Sequence, residues 1–238
     1  MPPATHIETG YLLTKVDYRE SDLVVTLFTA GLGRVSALAR GARSSRRRFG
    51  GVLEPMHTLT LHLDAHRTGE LFILREASIA VARTRLVSRL ATLEAAGQAL
   101  GWLRHAAPQH SSEPQAFVSV SRLLDRLNQA EPDAKEAAIL AEFGLFLLTS
   151  FGFGLDFERC VHCSRACARG QAAFVDARRG GLVCRACGGA AKRLTGDLRE
   201  RLARASSGQT GVLEPDDCDT ALELIEQALR SHMGIEPK

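Results

Sequence analysis

The chain has 238 residues, room for one large domain or two to three small ones, with 45% hydrophobic and 5% aromatic residues and a formal net charge of +3. That balance describes a globular, soluble protein, and nothing in the first six residues resembles a signal peptide, so a cytoplasmic location is expected. Residues 137–155 are apolar but contain Glu142, Gly144, Gly152 and Gly154, which predicts a buried central helix ending in a glycine-rich turn rather than a membrane span.

The first 80 residues read as strands. Residues 7–16 and 23–29 are β-rich runs separated by a polar stretch, and a turn over 30–33 leads into residues 34–40. There Val35, Ala37 and Ala39 alternate with Arg34, Ser36 and Arg40, the period of a half-buried strand. Leu59, Leu61 and Leu63 alternate with Thr58, Thr60 and His62 in the next strand, and a hairpin turn over 66–70 leads into residues 71–80. Five strands in this length with glycine turns predict a small closed barrel of the OB type, with an SH3-like barrel as the alternative.

From residue 83 the period becomes helical. Leu86, Leu90, Leu93, Leu100 and Leu103 are expected on one face of a helix, residues 115–127 form another, and Pro132 opens the apolar helix that runs to Leu148. Two further helices are expected at about 196–205 and 216–233.

Between these helices lies the most specific chemical signal. Cys160, Cys163, Cys184 and Cys187 form a C-x2-C-x20-C-x2-C pattern. Each CxxC presents two sulfurs from one short turn, and a hairpin over residues 174–183 brings the pairs together. Four thiolates fill a tetrahedral site completely, so the expected metal is a structural Zn2+ holding a module too small to keep its own core. Disulfides or unliganded core cysteines are the alternatives, and Cys167 and His162 are expected to be spectators.

Charge is unevenly placed. The chain has 26 Arg and 4 Lys, a bias that a GC-rich genome explains, but residues 34–48 hold six arginines and no acid. Residues 156–204 hold 11 Lys or Arg against 5 Asp or Glu. Two separated basic regions in a nearly neutral chain point to localised anion-binding surfaces. The loop of residues 40–51 combines arginines, which fork onto phosphate and stack on bases, with glycines that admit close approach. Phe49 offers either a stacking face or a loop-closing core contact. Candidate DNA-binding residues are Arg34, Arg40, Arg43, Arg46, Arg47 and Arg48.

Several enzyme classes are excluded by missing motifs. There is no P-loop, no HExxH, no GxSxG and no zinc-deaminase signature, and residues 31–36 lack the third glycine of a dinucleotide fingerprint. No nucleophile constellation or open metal position remains, so a non-enzymatic role is expected.

The run A-R-G-A-R-S-S-R-R-R-F-G-G-V-L-E-P at residues 39–55 resembles the N-terminal signature of the bacterial recombination mediator family RecO. Residues 147–163, L-L-T-S-F-G-F-G-L-D-F-E-R-C-V-H-C, are similar to that family's helix and first knuckle. R-G-G-L-V-C-R-A-C at 179–187 resembles its second knuckle, and L-R-S-H-M-G-I-E-P-K at 229–238 its C-terminal helix. The resemblance implies an α+β multidomain protein. Its parts would be an OB-fold barrel over 1–80, an α-helical domain over 81–155 plus 191–238, and an inserted four-cysteine zinc module over 156–190.

It further implies binding of single- and double-stranded DNA, annealing of complementary strands, and help in replacing single-strand-binding protein by RecA. The implied partners are RecR and the C-terminal tail of single-strand-binding protein, with no membrane. A zinc-stabilised adaptor whose arginines bind acidic peptide tails is the alternative from another class, and an RNA-binding OB protein is a third.

Overall fold

The computed structural model of the chain describes residues 4–45, 47–65, 71–131 and 136–234. They form two compact units, one from Met1–Ala96 with Ala107–Gln129 and one from Gly97–Ala106 with Ala130–Lys238.

The first unit is built on a closed five-stranded barrel. Strands β1 (Thr5–Tyr18), β2 (Asp22–Thr29), β3 (Gly33–Ala39), β4 (Thr58–Asp64) and β5 (Leu71–Val81) close in the order β1-β2-β3-β5-β4. β1 is long enough to pair with β4 through residues 5–10 and with β2 through residues 10–18, which closes the sheet without an edge. β3 and β5 pair in parallel, whereas the other neighbours in the barrel are antiparallel. These features make the barrel OB-like.

The alternation read from sequence sets which side chains fill the barrel. Val35, Ala37 and Ala39 of β3 and Leu59, Leu61 and Leu63 of β4 enter one apolar cluster with Leu12, Val25, Leu27 and Leu74. The cluster extends into the long β3–β4 loop through Ala42, Phe49 and Leu53. Phe49 is 3% exposed, so it is the core contact that closes the loop, and no stacking face remains.

A short helix α1 (Thr84–Val87) and helix α3 (Pro114–Gln129) cover the barrel's flank. Tyr11 and Phe28, on the outer face, pack against Phe117 of α3 at ring separations of 5.1 and 6.0 Å. Arg83, 1% exposed, ties the layers together. Its guanidinium donates to Asp125 of α3 at 2.8 Å and to Thr58 of β4 at 2.9 Å. Gly33 has φ +66°, and a Cβ there would lie 1.8 Å from the Ser111 carbonyl oxygen, so only glycine lets residues 109–111 cross β3.

Helix α2 (Leu90–Ala106) follows α1 after a break at residues 88–89, and the burial along α2 corrects the leucine stripe. Leu86, Leu100 and Leu103 are buried, but Leu90 is 70% and Leu93 37% exposed. Two helices replace the single predicted one, and within α2 the first turn, with Leu90 and Leu93, is open to solvent while Leu100 and Leu103 are covered.

In the second unit, α4 (Glu136–Ser150) is buried nearly all round, as an apolar helix without a polar face must be. It packs against α5 (Gly196–Ser206) and α6 (Cys218–Met233). Glu142, in the middle of α4, is 2% exposed and accepts the Val212 and Leu213 N–H groups at 2.8 and 3.2 Å. Pro132 of the predicted helix start lies outside the described residues. Among the described residues no helix is long and apolar enough to cross a membrane.

Candidate nucleic-acid surface and metal centre

At one end of the barrel the β1–β2 turn and the β3–β4 loop are bound into one surface. The Gly41 N–H donates to Asp22 Oδ1 at 2.7 Å, and the Arg43 N–H to the Ser21 carbonyl at 3.0 Å. The Arg43 guanidinium adds a bond to the Glu20 carbonyl at 3.3 Å and an exposed ion pair with Asp17 at 3.5 Å. Arg48 folds back on its own loop: it donates to the Arg40 carbonyl at 2.9 Å and lies 5.1 Å from the ring centre of buried Phe49. The loop is therefore anchored at both ends and at Phe49, while the side chains of Arg40, Arg43, Arg47 and Arg48 are exposed. Arg46 lies outside the described residues.

The structure sets Arg34 apart from this group. It stands six residues from Arg40 along the strand, roughly 20 Å at strand spacing. Its Nε donates to the Ala107 carbonyl at 2.8 Å, and its own carbonyl accepts the His110 N–H at 3.1 Å. That side chain helps hold residues 107–110 on the barrel. In its place the fold brings in Arg19 of the β1–β2 turn, which lies over the Tyr18 ring at 5.2 Å from the centroid. Tyr18, 43% exposed, is a stacking face beside the basic loop. Arg19 is separated from the arginine run by fifteen or more residues, so composition alone did not select it.

The four cysteines of the second unit meet. β6 (Asp156–Cys160), β7 (Ala173–Asp176), β8 (Gly181–Leu182) and β9 (Lys192–Leu194) form a sheet in the order β6-β8-β7-β9. A single 3-10 turn over Ala177–Arg179 joins β7 to β8. It brings the second CxxC back to the first, as the hairpin pattern predicts.

The Cys160, Cys163, Cys184 and Cys187 sulfurs all lie within 4.8 Å of one another, and Cys163 and Cys184 are 3.7 Å apart. A tetrahedron with Zn–S bonds of about 2.3 Å has edges of about 3.8 Å, so the spacing fits. Cys167 bonds instead toward Gln171, and neither it nor His162 joins the group.

The electrostatics point the same way. The Cys184 N–H donates to Cys160 Sγ at 3.4 Å, and this bond, followed by those from the Cys163 and His162 N–H groups, lowers the Cys160 thiol to about 6. Cys187 is pushed up to about 12 by the neighbouring Cys184 and Cys163 thiols, with burial adding to the shift. Four sulfurs this close ionise together only when a cation sits among them. The donor set is capable of coordinating a metal ion, and with four protein ligands it has no open position for catalysis.

One residue that the sequence pattern does not single out holds this module to its helix. Arg199 of α5 is 3% exposed. It donates to the carbonyls of Phe157, Ala168 and Gln171 at 2.6, 2.8 and 3.2 Å, spanning β6 and the loop after the first knuckle. Gly196 completes the contact, because a Cβ there would lie 2.0 Å from the Gly170 carbonyl oxygen. Amphipathic spacing marks α5 as a helix, but nothing in the pattern separates Arg199 from the solvent-facing Arg204.

A five-stranded OB-like barrel with a basic loop end, and a helical second half carrying a four-cysteine cluster, define a class of two-part binding protein. The family model described as Recombination protein O N terminal matches residues 1–83, and the one described as Recombination protein O C terminal matches residues 90–238. Three relatives, each named DNA repair protein RecO, are similar along nearly their whole length. That of Anaeromyxobacter sp. (strain K) is 33% identical over 234 residues, 95% of this chain and 91% of the relative. That of Geobacter sulfurreducens is 32% identical over 226 residues, covering 94% and 90%. That of Myxococcus xanthus is 32% identical over 232 residues, covering 95% and 92%. The chain belongs to the recombination protein O family, and with it to the non-enzymatic proteins.

Proposed function

We propose that this chain is a DNA-binding mediator of recombinational repair that works through binding energy alone. Family membership along both halves of the chain carries the reading. In it, residues 1–80 are an OB-fold nucleic-acid module. Residues 81–155 plus 191–238 are the helical domain, and residues 156–190 are a module held by structural Zn2+ on Cys160, Cys163, Cys184 and Cys187. The chain binds single- and double-stranded DNA and anneals complementary strands. With RecR it helps replace single-strand-binding protein by RecA, taking hold of that protein's C-terminal tail.

The physical contribution of the barrel is charge neutralisation. Two DNA strands repel through their phosphates, and pairing is faster when cations hold them close. The exposed guanidiniums of Arg19, Arg40, Arg43, Arg47 and Arg48, with Arg46 from the same run, supply that charge. With most barrel aromatics buried and Tyr18 offered for stacking, binding is dominated by phosphates and has weak sequence preference. If about five arginines each neutralise one phosphate, log affinity falls with log salt at a slope near −3.5 for single strands.

The test is ATP-free annealing of complementary DNA strands coated with single-strand-binding protein. The variant compared is Arg19/Arg40/Arg47→Ala, which spares Arg48 because Arg48 supports the loop backbone. Annealing by the wild type that drops at least tenfold in the variant is expected. No annealing by the wild type, or a salt slope near zero, sinks the reading and leaves an adaptor for acidic peptides.

A further inference from the structure

The face of the cysteine module carries a groove of about 500 Å3 that borders the metal site, with Cys160 and Cys184 in its wall. Arg165 follows the first knuckle, Arg185 lies in the second and Arg193 is on β9, and all three line the groove with Phe174 of β7. No Asp or Glu among the described residues lines it. The three arginine side chains are exposed, and among the described residues none has a carboxylate partner. Even against the double negative charge of four thiolates on a divalent ion, three guanidiniums leave the groove positive.

The sheet dictates the arrangement. Phe174 and Arg193 are directly paired across β7 and β9, so their side chains share a face. Arg185 reaches over the same ring, 5.7 Å from its centroid. The groove thus combines a half-buried aromatic ring with three cations, in a volume within the range of small-ligand clefts, about 300–1,000 Å3.

We infer that this groove is a second DNA contact, which takes one nucleotide unit of a single strand with its base against Phe174 and flanking phosphates on Arg165, Arg185 and Arg193. An acidic peptide would satisfy the cations but give the ring no planar partner, and duplex DNA would keep its bases stacked out of reach. The inference rests on the DNA-binding reading above and adds to it a site, a strand preference and a base contact.

The experiment uses the full-length, zinc-loaded chain and two probes of about 15 nucleotides with equal phosphate count, oligothymidylate and an abasic backbone, long enough for one OB-sized site. Affinity is measured by fluorescence anisotropy across salt concentrations for wild type, Arg165/Arg185/Arg193→Gln, Phe174→Leu and the barrel variant Arg40/Arg47→Gln. Zinc content and thermal unfolding identify variants that fold. The groove triple variant is expected to lose about 2 from the magnitude of the salt slope, at about 0.7 per phosphate contact. Phe174→Leu is expected to weaken oligothymidylate about 5- to 150-fold and leave the abasic probe unchanged, which a merely structural role would not do.

Unchanged slope and affinity in folded groove variants, with a reduced slope in the barrel variant, overturns this inference and leaves the DNA reading standing. No salt-dependent binding by the wild type overturns both. Tighter groove-dependent binding of a polyglutamate peptide than of oligothymidylate overturns the nucleotide assignment in favour of an acidic peptide.

Discussion

The barrel and the cysteine module are both small sheets, yet they hold together by different means. The barrel has strands of 7 to 14 residues, closes on itself, and buries a continuous apolar cluster. The module's strands are 2 to 5 residues long, and its buried apolar side chains are few, among them Phe157, Val175, Leu182 and Leu194. It replaces a core with four converging thiols and one arginine clamp. The comparison shows where each region is free to vary. In the barrel the exposed arginines lie outside the apolar core, and of them Arg43 and Arg48 also bond to the loop and turn backbone. In the module one arginine, Arg199, is part of the fold, and the arginines around the groove are not.

The largest effect expected from breaking this comparison is on the module's metal. Chelation, or Cys184→Ser, should abolish stoichiometric zinc and remove hydrogen-exchange protection from residues 156–194, with residues 5–64 and 71–81 unaffected. Full metal content and full protection in Cys184→Ser would rule out the four-cysteine site.

A smaller effect separates clamp from core. Arg199→Met leaves the buried Phe157 carbonyl without this donor, and the part-buried Ala168 and Gln171 carbonyls to water, and should destabilise the second unit by ~1–3 kcal/mol, the cost of one buried unsatisfied group. Arg199→Lys should recover only part of that, because an ammonium lacks the planar fork that spans three acceptors. In the barrel, Leu61→Ala should cost ~2–5 kcal/mol by cavity formation and leave zinc content unchanged. Denaturant titration with segment-resolved hydrogen exchange reads both. Equal loss of protection in both units from either variant would erase the distinction.

The smallest effect concerns pH and the barrel. His57 Nδ1 accepts the Arg83 N–H at 3.1 Å, so that nitrogen must stay unprotonated. Burial first, then the Arg83 charge, holds the His57 pKa below the ordinary histidine value. The folded barrel therefore binds fewer protons than the unfolded chain in mild acid. Its stability is at full value above the unfolded pKa and is lost as pH falls through that value toward the folded one. A lower denaturation midpoint at about pH 5.5 than at about pH 8, on either side of the ordinary histidine value, is expected in the wild type, and a smaller difference in His57→Gln. Equal pH dependence in both would remove His57 from the account.

The barrel strands and the metal cluster were legible because each rests on a local, short-period pattern. Alternation in residues 34–40 and 58–63 dictates which side chains enter the core, whatever the partner strands are. Two CxxC pairs with apolar runs between them leave little choice of geometry. The helices after residue 83 were legible as helices but not in number, because the break at 88–89 is only two residues long and a leucine count runs across it. β6 and β9 were missed for a related reason: strands of five and three residues hold too few positions for a period to show.

By itself the sequence determined the five barrel strands and their order, the alternating core of the barrel, the four converging thiols and the basic character of residues 34–48, all of which follow from residue type at short spacing. Tertiary structure decided which of several identical arginines do what. Arg34 was drawn inward by the Ala107 carbonyl, Arg19 was brought to the loop by the β1–β2 turn, and Arg199 was buried under three carbonyls while Arg165, Arg185 and Arg193 were left around a groove. The physical reason is that a guanidinium's role depends on the acceptors within about 3 Å of it. Those acceptors are backbone atoms from distant parts of the chain, which no local pattern encodes.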